Sequence, residues 1–190
     1  MSEAVQSVPV GFVTREQYYA WKAAQPRGRF ERVDGQIVAM APETGAHLLV
    51  KAAVHRALRQ AIRTANVDCQ ALPDGATVAS EESDFEPDAT VICGARMPLD
   101  QTIAPNPVVV VEVLSPSTQS RDITVKLAGY FAVGWIQHYL IVNPSKPQVV
   151  HHRRAEPGSE RIETGIMTEG DLSLVPPGIT VSLDAFYEDL

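Results

Sequence analysis

The run Pro107 to Leu114, PVVVVEVL, constrains this chain more than any other segment. Its valines come four in a row, so they cannot alternate between core and water. β-Branched side chains favour extended backbone. An unbroken apolar run of this length reads as a central strand covered on both faces. Such a strand requires a sheet with further layers packed on either side. Into this run the sequence places Glu112, followed by Val113 and Leu114. A carboxylate in a strand of this character either reaches solvent near the strand end, or is paired, or holds a cation.

The rest of the chain supplies the layers. Thr14 and Gln17 form a capping-box pattern and predict a short helix to about Ala24, ended by Pro26 and Gly28. Phe30 to Val33 and Gln36 to Met40 flank Asp34-Gly35, a hairpin signal. Glu43 to Ala65 reads as a long helix with Val50, Val54, Leu58 and Ile62 as its buried stripe. Val67 to Leu72 and Ala76 to Ala79 flank a second Asp-Gly, at Asp74-Gly75. Asp88 to Cys93 is a short apolar strand opened by Pro87. After the valine strand come a helix over Ser117 to Val133 and a buried strand over Ile136 to Val142. The latter pairs with Gln148 to Arg153 across Asn143-Pro144. Short strands follow from Arg161, then a last helical turn at Asp184 to Glu188. This order predicts one α/β domain over residues 14–190, with a mixed central sheet flanked by helices, behind a loose tail over residues 1–13. A chain of 190 residues buries a sufficient core for that without staples.

Acidic residues outnumber basic ones 23 to 16, giving a net charge of −7. That argues against a protein whose whole surface attracts nucleic acid or anionic membrane. Cys69 and Cys93 form no CxxC pair, and the expectation is two small buried apolar residues in a reducing compartment. The first residues carry Glu3 and neither a basic run nor an apolar core, and no stretch approaches the ~20 apolar residues that span a bilayer. A cytoplasmic protein without membrane association is expected.

Candidate chemistry gathers around Glu112. Asp88 opens the neighbouring strand in EPDATVIC, and two carboxylates on adjacent strands can converge on one divalent cation. Mg²⁺, or Mn²⁺ in its place, takes few carboxylates, waters and phosphate oxygens. That set suits phosphodiester hydrolysis. In the helix that follows, Ile123, Leu127, Tyr130 and Phe131 form the apolar face, and Lys126 falls on its edge. It leans toward the sheet, either snorkelling, pairing with Asp122 on the surface, or serving the carboxylates and a transition state. Ser117 or Thr118 would cap that helix, and its N-terminus would accept a phosphate. His151 and His152 fall on opposite faces of a strand, so they do not share one ion and read as solvated charge beside Arg153 and Arg154. Trp21 and Trp135 read as core or interface aromatics.

These residues carry a family resemblance. RFERVDGQIVAMAP, His47, EPDATVIC, the block from Pro107 to Pro144 and the tail VPPGITVSLDAFYEDL resemble, in order, the Uma family. That bacterial group is assigned as restriction endonucleases with the PD-(D/E)XK fold. The resemblance runs from about Thr14 to Leu190. It implies a restriction-endonuclease-like core with Asp88 and Glu112 as metal ligands. Leu114 occupies the usual lysine position, and the lysine is thought to have migrated to the next helix, which matches Lys126. The resemblance also implies roles for Glu31 and His47. Where the family commonly reads DGE, this chain has Gln36, which would weaken metal binding if that acid contributes to it.

Charge placement agrees with a DNA-acting enzyme better than net charge does. Thr44 to Val67 contains Lys51, Arg56, Arg59 and Arg63 and no acid, a helix that can face a phosphate backbone. Glu81, Glu82, Asp84, Glu86 and Asp88 crowd five acids into eight residues. The expectation is a metal-dependent DNA endonuclease, a homodimer by analogy with enzymes that cut both strands. Two alternatives stand beside it: a catalytically silent nuclease fold that binds protein or nucleic acid, and a hydrolase of a smaller phosphoester.

Overall fold

The structure is a computed structural model that describes residues 7–114 and 120–190; the predicted Ser115 to Thr118 turn and its helix cap lie outside them. Helix α1 (Arg15–Ala23) opens on the predicted capping box, with Thr14 Oγ1 accepting from Gln17 N and Gln17 Oε1 accepting from Thr14 N. Strands β1 (Phe30–Val33) and β2 (Gln36–Ala39) form the predicted hairpin. Asp34 and Gly35 both take positive φ there, 48° and 70°, as a two-residue hairpin turn requires. Helix α2 (Gly45–Ala65) is capped by Thr44 and ends at left-handed Asn66. Then come β3 (Cys69–Pro73), β4 (Val78–Ala79), β5 (Asp84–Phe85), β6 (Ala89–Cys93) and β7 (Pro107–Val113). Helix α3 (Ser120–Ala132) follows, with β8 (His138–Val142), β9 (Val149–Arg154), β10 (Ile162–Met167), β11 (Asp171–Leu174), β12 (Ile179–Ser182) and a 3₁₀ turn over Leu183–Phe186.

The strands assemble into a six-stranded sheet in the order β10-β9-β8-β7-β6-β3, a four-stranded sheet β2-β1-β5-β4, and a β11-β12 hairpin. In the large sheet β7 and β8 are parallel, joined by the α3 crossover, and every other pairing is antiparallel. The valine strand is the parallel, central one, as its composition predicts. Its residues alternate: Val109, Val111 and Val113 join the core under α2, while Val110 joins the core that holds Tyr130 and Tyr139. Glu112 follows Val110 on that second face. Gly129 lets α3 come close, because a Cβ there would lie 2.5 Å from the Phe85 ring.

Three expectations are corrected. The segments flanking Asp74-Gly75 do not pair with each other: β3 joins the large sheet beside β6, and β4 joins β5 in the small one. Local turn chemistry there serves a passage between sheets. Cys69 and Cys93 are bonded rather than free. They are 24 residues apart but stand opposite one another in the β3–β6 register, which local sequence does not reveal. His151 and His152 do point to opposite faces, but they are not solvated. His152 is buried and shares a hydrogen bond with Thr164. His151 Nε2 lies 2.9 Å from Nδ1 of the buried His138, whose Nε2 donates to the Pro176 carbonyl. Sheet pairing with β8 and β10 covers what looked like a strand end.

The four-stranded sheet is tied to α1 through Asp84, which is fully buried and accepts from Arg32 and Arg15 at 2.6 and 2.8 Å. Residues 7–13 form no regular element; Ser7 O accepts from Trp21 Nε1, and Phe12 lies against Gly35. Trp21 is buried, whereas Trp135 is exposed. Among the described residues no helix is long and apolar enough to cross a membrane.

Burial pushes His138 and His151 down to about 4, with neighbouring positive charge from Arg153 adding to it. Their unfolded values lie near 6.5. The unfolded chain therefore binds more protons between pH 6.5 and 4, and folding stability falls as pH drops through that window. In urea titrations at pH 7.5 and 5, His151→Gln, which keeps a donor for His138, should lose about 1–2 kcal/mol less on acidification than the parent. Identical losses would contradict the neutral-pair assignment.

Candidate active site

The site lies at the end of β7. In the β6–β7 register Ala89 faces Val111, so one further step sets Asp88 opposite Glu112. Asp88 Oδ2 accepts from Val113 N at 2.7 Å, which fixes that carboxylate to the strand carrying Glu112. Lys126, on α3, is 5% exposed and donates to Glu112 Oε1 at 2.9 Å and to Glu31 Oε1 at 3.1 Å. Its lean toward the sheet, read from helical spacing, is therefore complete burial between two carboxylates. Tyr130, one turn further along α3, donates to the same Glu112 oxygen at 2.5 Å. Glu31, on β1, also accepts from Glu86 N at 2.8 Å, so the small sheet presents this carboxylate to the large one.

On the α2 side, His47 Nε2 lies 3.2 Å from Asp88 Oδ1. Lys51 donates to Glu43 at 2.5 Å and to Asp74 at 3.1 Å, and stands 3.9 Å from Asp88. Arg29 reaches Glu43 and Asp74, and Glu86 is held by Arg29 and Lys22. The end of β7 therefore joins two clusters. Glu31, Glu112, Lys126 and Tyr130 lie toward α3; Glu43, His47 and Lys51 lie toward α2. Asp88 stands between them.

Burial is the main force on Glu112 and raises it. Lys126 opposes, while the charges on Glu31 and Asp88 raise it further, and it is pushed up to about 7. Glu31 and Asp88 thus add a smaller electrostatic push to the dominant effect of burial. Burial likewise works against a charged His47. The hydrogen bond that His47 donates to Asp88 and the charges of Asp88 and Glu43 outweigh it, so the ring is raised above its ordinary value.

All five residues singled out in the sequence, Glu31, His47, Asp88, Glu112 and Lys126, meet here. Among the described residues, the ligand atoms that lie within 4.8 Å of one another belong to Glu43, His47 and Asp88. That set contains Asp88 without Glu112, whose carboxylate accepts from Lys126 and Tyr130 on the α3 side instead. Sequence reasoning missed Glu43 and Tyr130, whose letters read as helix start and apolar stripe. It also read Lys51 as part of an outward basic face. The acid run from Glu81 to Asp88 is not one cation trap: Asp84 and Glu86 are held by arginine and lysine, and Glu81 and Glu82 are exposed. Gln36 is exposed on β2 beside the turn, opposite Val33.

Comparison with known proteins agrees with this reading of the fold. Residues 15–185 match the Uma2 family, described as "putative restriction endonuclease". An uncharacterized protein of Synechocystis is 27% identical over 195 residues, covering 97% of this chain and 96% of its own length. The crystal structure of a protein from Anabaena variabilis, titled a putative nuclease belonging to DUF820, superposes with a TM-score of 0.71. It is 15% identical and covers 93% of this chain and 98% of its own, which shows a shared fold.

Excess negative charge at the β7 end predicts stabilisation by a divalent cation. With Mn²⁺ at ~100-fold over its Kd the parent should gain about 2.7 kcal/mol, a rise of about 5–10 °C in Tm. Asp88→Asn and Glu112→Gln should each lose most of that rise in a thermal-shift titration. An Mn²⁺-indifferent parent would remove the cation from this site.

Proposed function

This chain belongs to the Uma2 family of putative restriction endonucleases, and from that premise we propose that it hydrolyses DNA phosphodiester bonds with Mg²⁺ or Mn²⁺ at the end of β7. The observation that carries the reading is a buried lysine held between Glu31 and Glu112, beside Asp88. A structural ion pair needs one carboxylate. Glu31 and Glu112 outnumber the lysine they share, and Asp88, which meets His47 and Val113 N instead, brings a third carboxylate to a pocket whose oxygen donors suit a hard cation.

Asp88 and Glu112 are the ligands in this proposal, with Glu31 close enough to hold bound water. Such a cation supplies a Lewis acid and a water of lowered pKa. The remaining work belongs to the chain. Lys126, held between Glu31 and Glu112, would present its ammonium to the attacking water and the phosphate charge. Tyr130 keeps one Glu112 oxygen oriented. His47 holds Asp88 from the opposite side and keeps its second oxygen on β7. Cutting both strands of a duplex calls for two such sites, hence two copies.

Plasmid nicking and linearisation should require Mg²⁺ or Mn²⁺. The reaction should fall about 100-fold or more in Asp88→Ala, Glu112→Gln and Lys126→Met, each checked by circular dichroism. Lys126→Arg keeps the charge and tests whether the loss follows the amine or the fold. Equal cleavage by parent and variants would contradict the proposal. Turnover of single-stranded DNA, RNA or bis(p-nitrophenyl) phosphate in preference to duplex would reassign the substrate.

A further inference from the structure

Helix α2 carries a basic residue at every fourth position over most of its length: His47, Lys51, His55, Arg59 and Arg63. Spacing of four turns each residue about 40° past the one before, so His47 and Arg63 stand about 160° apart around the helix while His55, Arg59 and Arg63 share a face about 80° wide. The first two belong to the site. The last three line a cleft of about 550 Å³ between α2 and β3, together with Arg96. β3 is the free edge of the six-stranded sheet and forms the opposite wall, from Cys69 to Pro73. Both walls run to the same place. Along α2 the stripe passes from Arg63 to Lys51. Along β3 the wall ends at Pro73, and the next residue, Asp74, is ion-paired to Lys51. His55 Nε2 donates to the Ala71 carbonyl at 3.3 Å and joins the walls midway.

The charge in this cleft is mostly uncommitted. Arg59 and Arg63 are exposed, and among the described residues neither has an acidic partner at salt-bridge distance. Arg96 is held at the rim, donating to the Cys69 carbonyl and to Asp68, with the Arg96 and Asp68 side chains both well exposed. Arg56, counted with them in the sequence, is different: it turns to the chain end and pairs with Glu188 and Asp189. On a chain of net charge −7, two unpaired arginines and a third at the rim of one cleft are an island of positive potential.

We infer that the α2–β3 cleft is the track for the phosphate backbone of a nucleic-acid strand, leading it to the end of β7. From His55 to Arg63 the open part of the stripe is about 12 Å long at about 1.5 Å per residue, the axial length of about three to four phosphates of one duplex strand, and the buried His47 and Lys51 of the site lie beyond it. The arginines supply the donors to phosphate oxygens, since on β3 the Cys69 and Ala71 carbonyls already accept from Arg96 and His55. Such contacts position the strand without reading its sequence. This deepens the proposed nuclease function and rests on it for the direction of the track.

Binding separates the two. A fluorescein-labelled 24-base-pair duplex is titrated in EDTA, where no metal-dependent cleavage occurs, and anisotropy is read from 50 to 200 mM salt. The variants are Arg59→Gln/Arg63→Gln/Arg96→Gln and a control of equal charge loss on the far side of the sheet, Lys146→Gln/Arg153→Gln/Arg161→Gln. The cleft variant should bind roughly 10- to 100-fold more weakly, with a salt slope flatter by about 3, while the control stays within about twofold. Hydrolysis of bis(p-nitrophenyl) phosphate should match the parent in both. An unchanged Kd and slope in the cleft variant, equal weakening in both variants, or no duplex binding by the parent at 50 mM salt would overturn the track. Cleft-dependent binding by a parent that cleaves nothing would leave the track standing and overturn the nuclease reading.

Discussion

The structure turns on one buried cation. The ammonium of Lys126 is hydrogen-bonded to Glu31 on the small sheet and Glu112 on the large one, and its own backbone belongs to the crossover helix α3. Three elements distant in sequence meet at that nitrogen. Taking a lysine and two carboxylates out of water costs several kcal/mol per ion, recovered only if the remaining hydrogen bonds are made. Most are: Tyr130 donates to Glu112, and Glu86 N donates to Glu31. The Phe85 ring lies 5.9 Å from the ammonium, and Gly129 lets the helix approach that ring. Replacing Lys126 with an apolar residue would leave two buried carboxylates facing one another, a far larger loss than one surface pair.

The same constraint gives the β7 end its chemistry. The α3 side is unbalanced, with Glu31 and Glu112 sharing Lys126, whereas Glu43 and Asp74 on the α2 side are met by both Lys51 and Arg29. Glu112 is pushed up to about 7 by burial and by those neighbours despite its lysine. The Asp88 carboxylate belongs to both halves, because one oxygen meets His47 and the other meets β7. A cation bound at Asp88 is therefore felt on α2 and α3 alike.

Much of this was legible in the letters, for physical reasons. Four valines before a glutamate specify a buried strand, and helical spacing leans Lys126 toward the sheet, while its service to Glu112 was implied by the family resemblance. The α1 capping box and the Asp34-Gly35 turn are local chemistry and form where the sequence writes them. What stayed hidden depends on pairing across long separations. Cys69 meets Cys93 only through the β3–β6 register, and Asp74-Gly75 looks like a hairpin until its two strands join different sheets. His151 and His152 read as solvated because β8 and β10 had not yet been laid beside them. Tyr130 and Glu43 carried no signal of their own, since an aromatic in an apolar stripe and an acid before a helix are ordinary. Of the basic helix, composition suggested a charged face but not that Lys51 is buried in the site or that Arg56 pairs with the chain end.

The central claim is that Asp88 and Glu112 close on one cation beside Lys126. Anomalous diffraction from crystals soaked in Mn²⁺ tests it most directly. The account predicts one strong peak with oxygens of both carboxylates about 2.1 Å away and the Lys126 ammonium adjacent to it. A peak held by Glu43, His47 and Asp88 with Glu112 still bound to Lys126, or no peak at the end of β7, would contradict it.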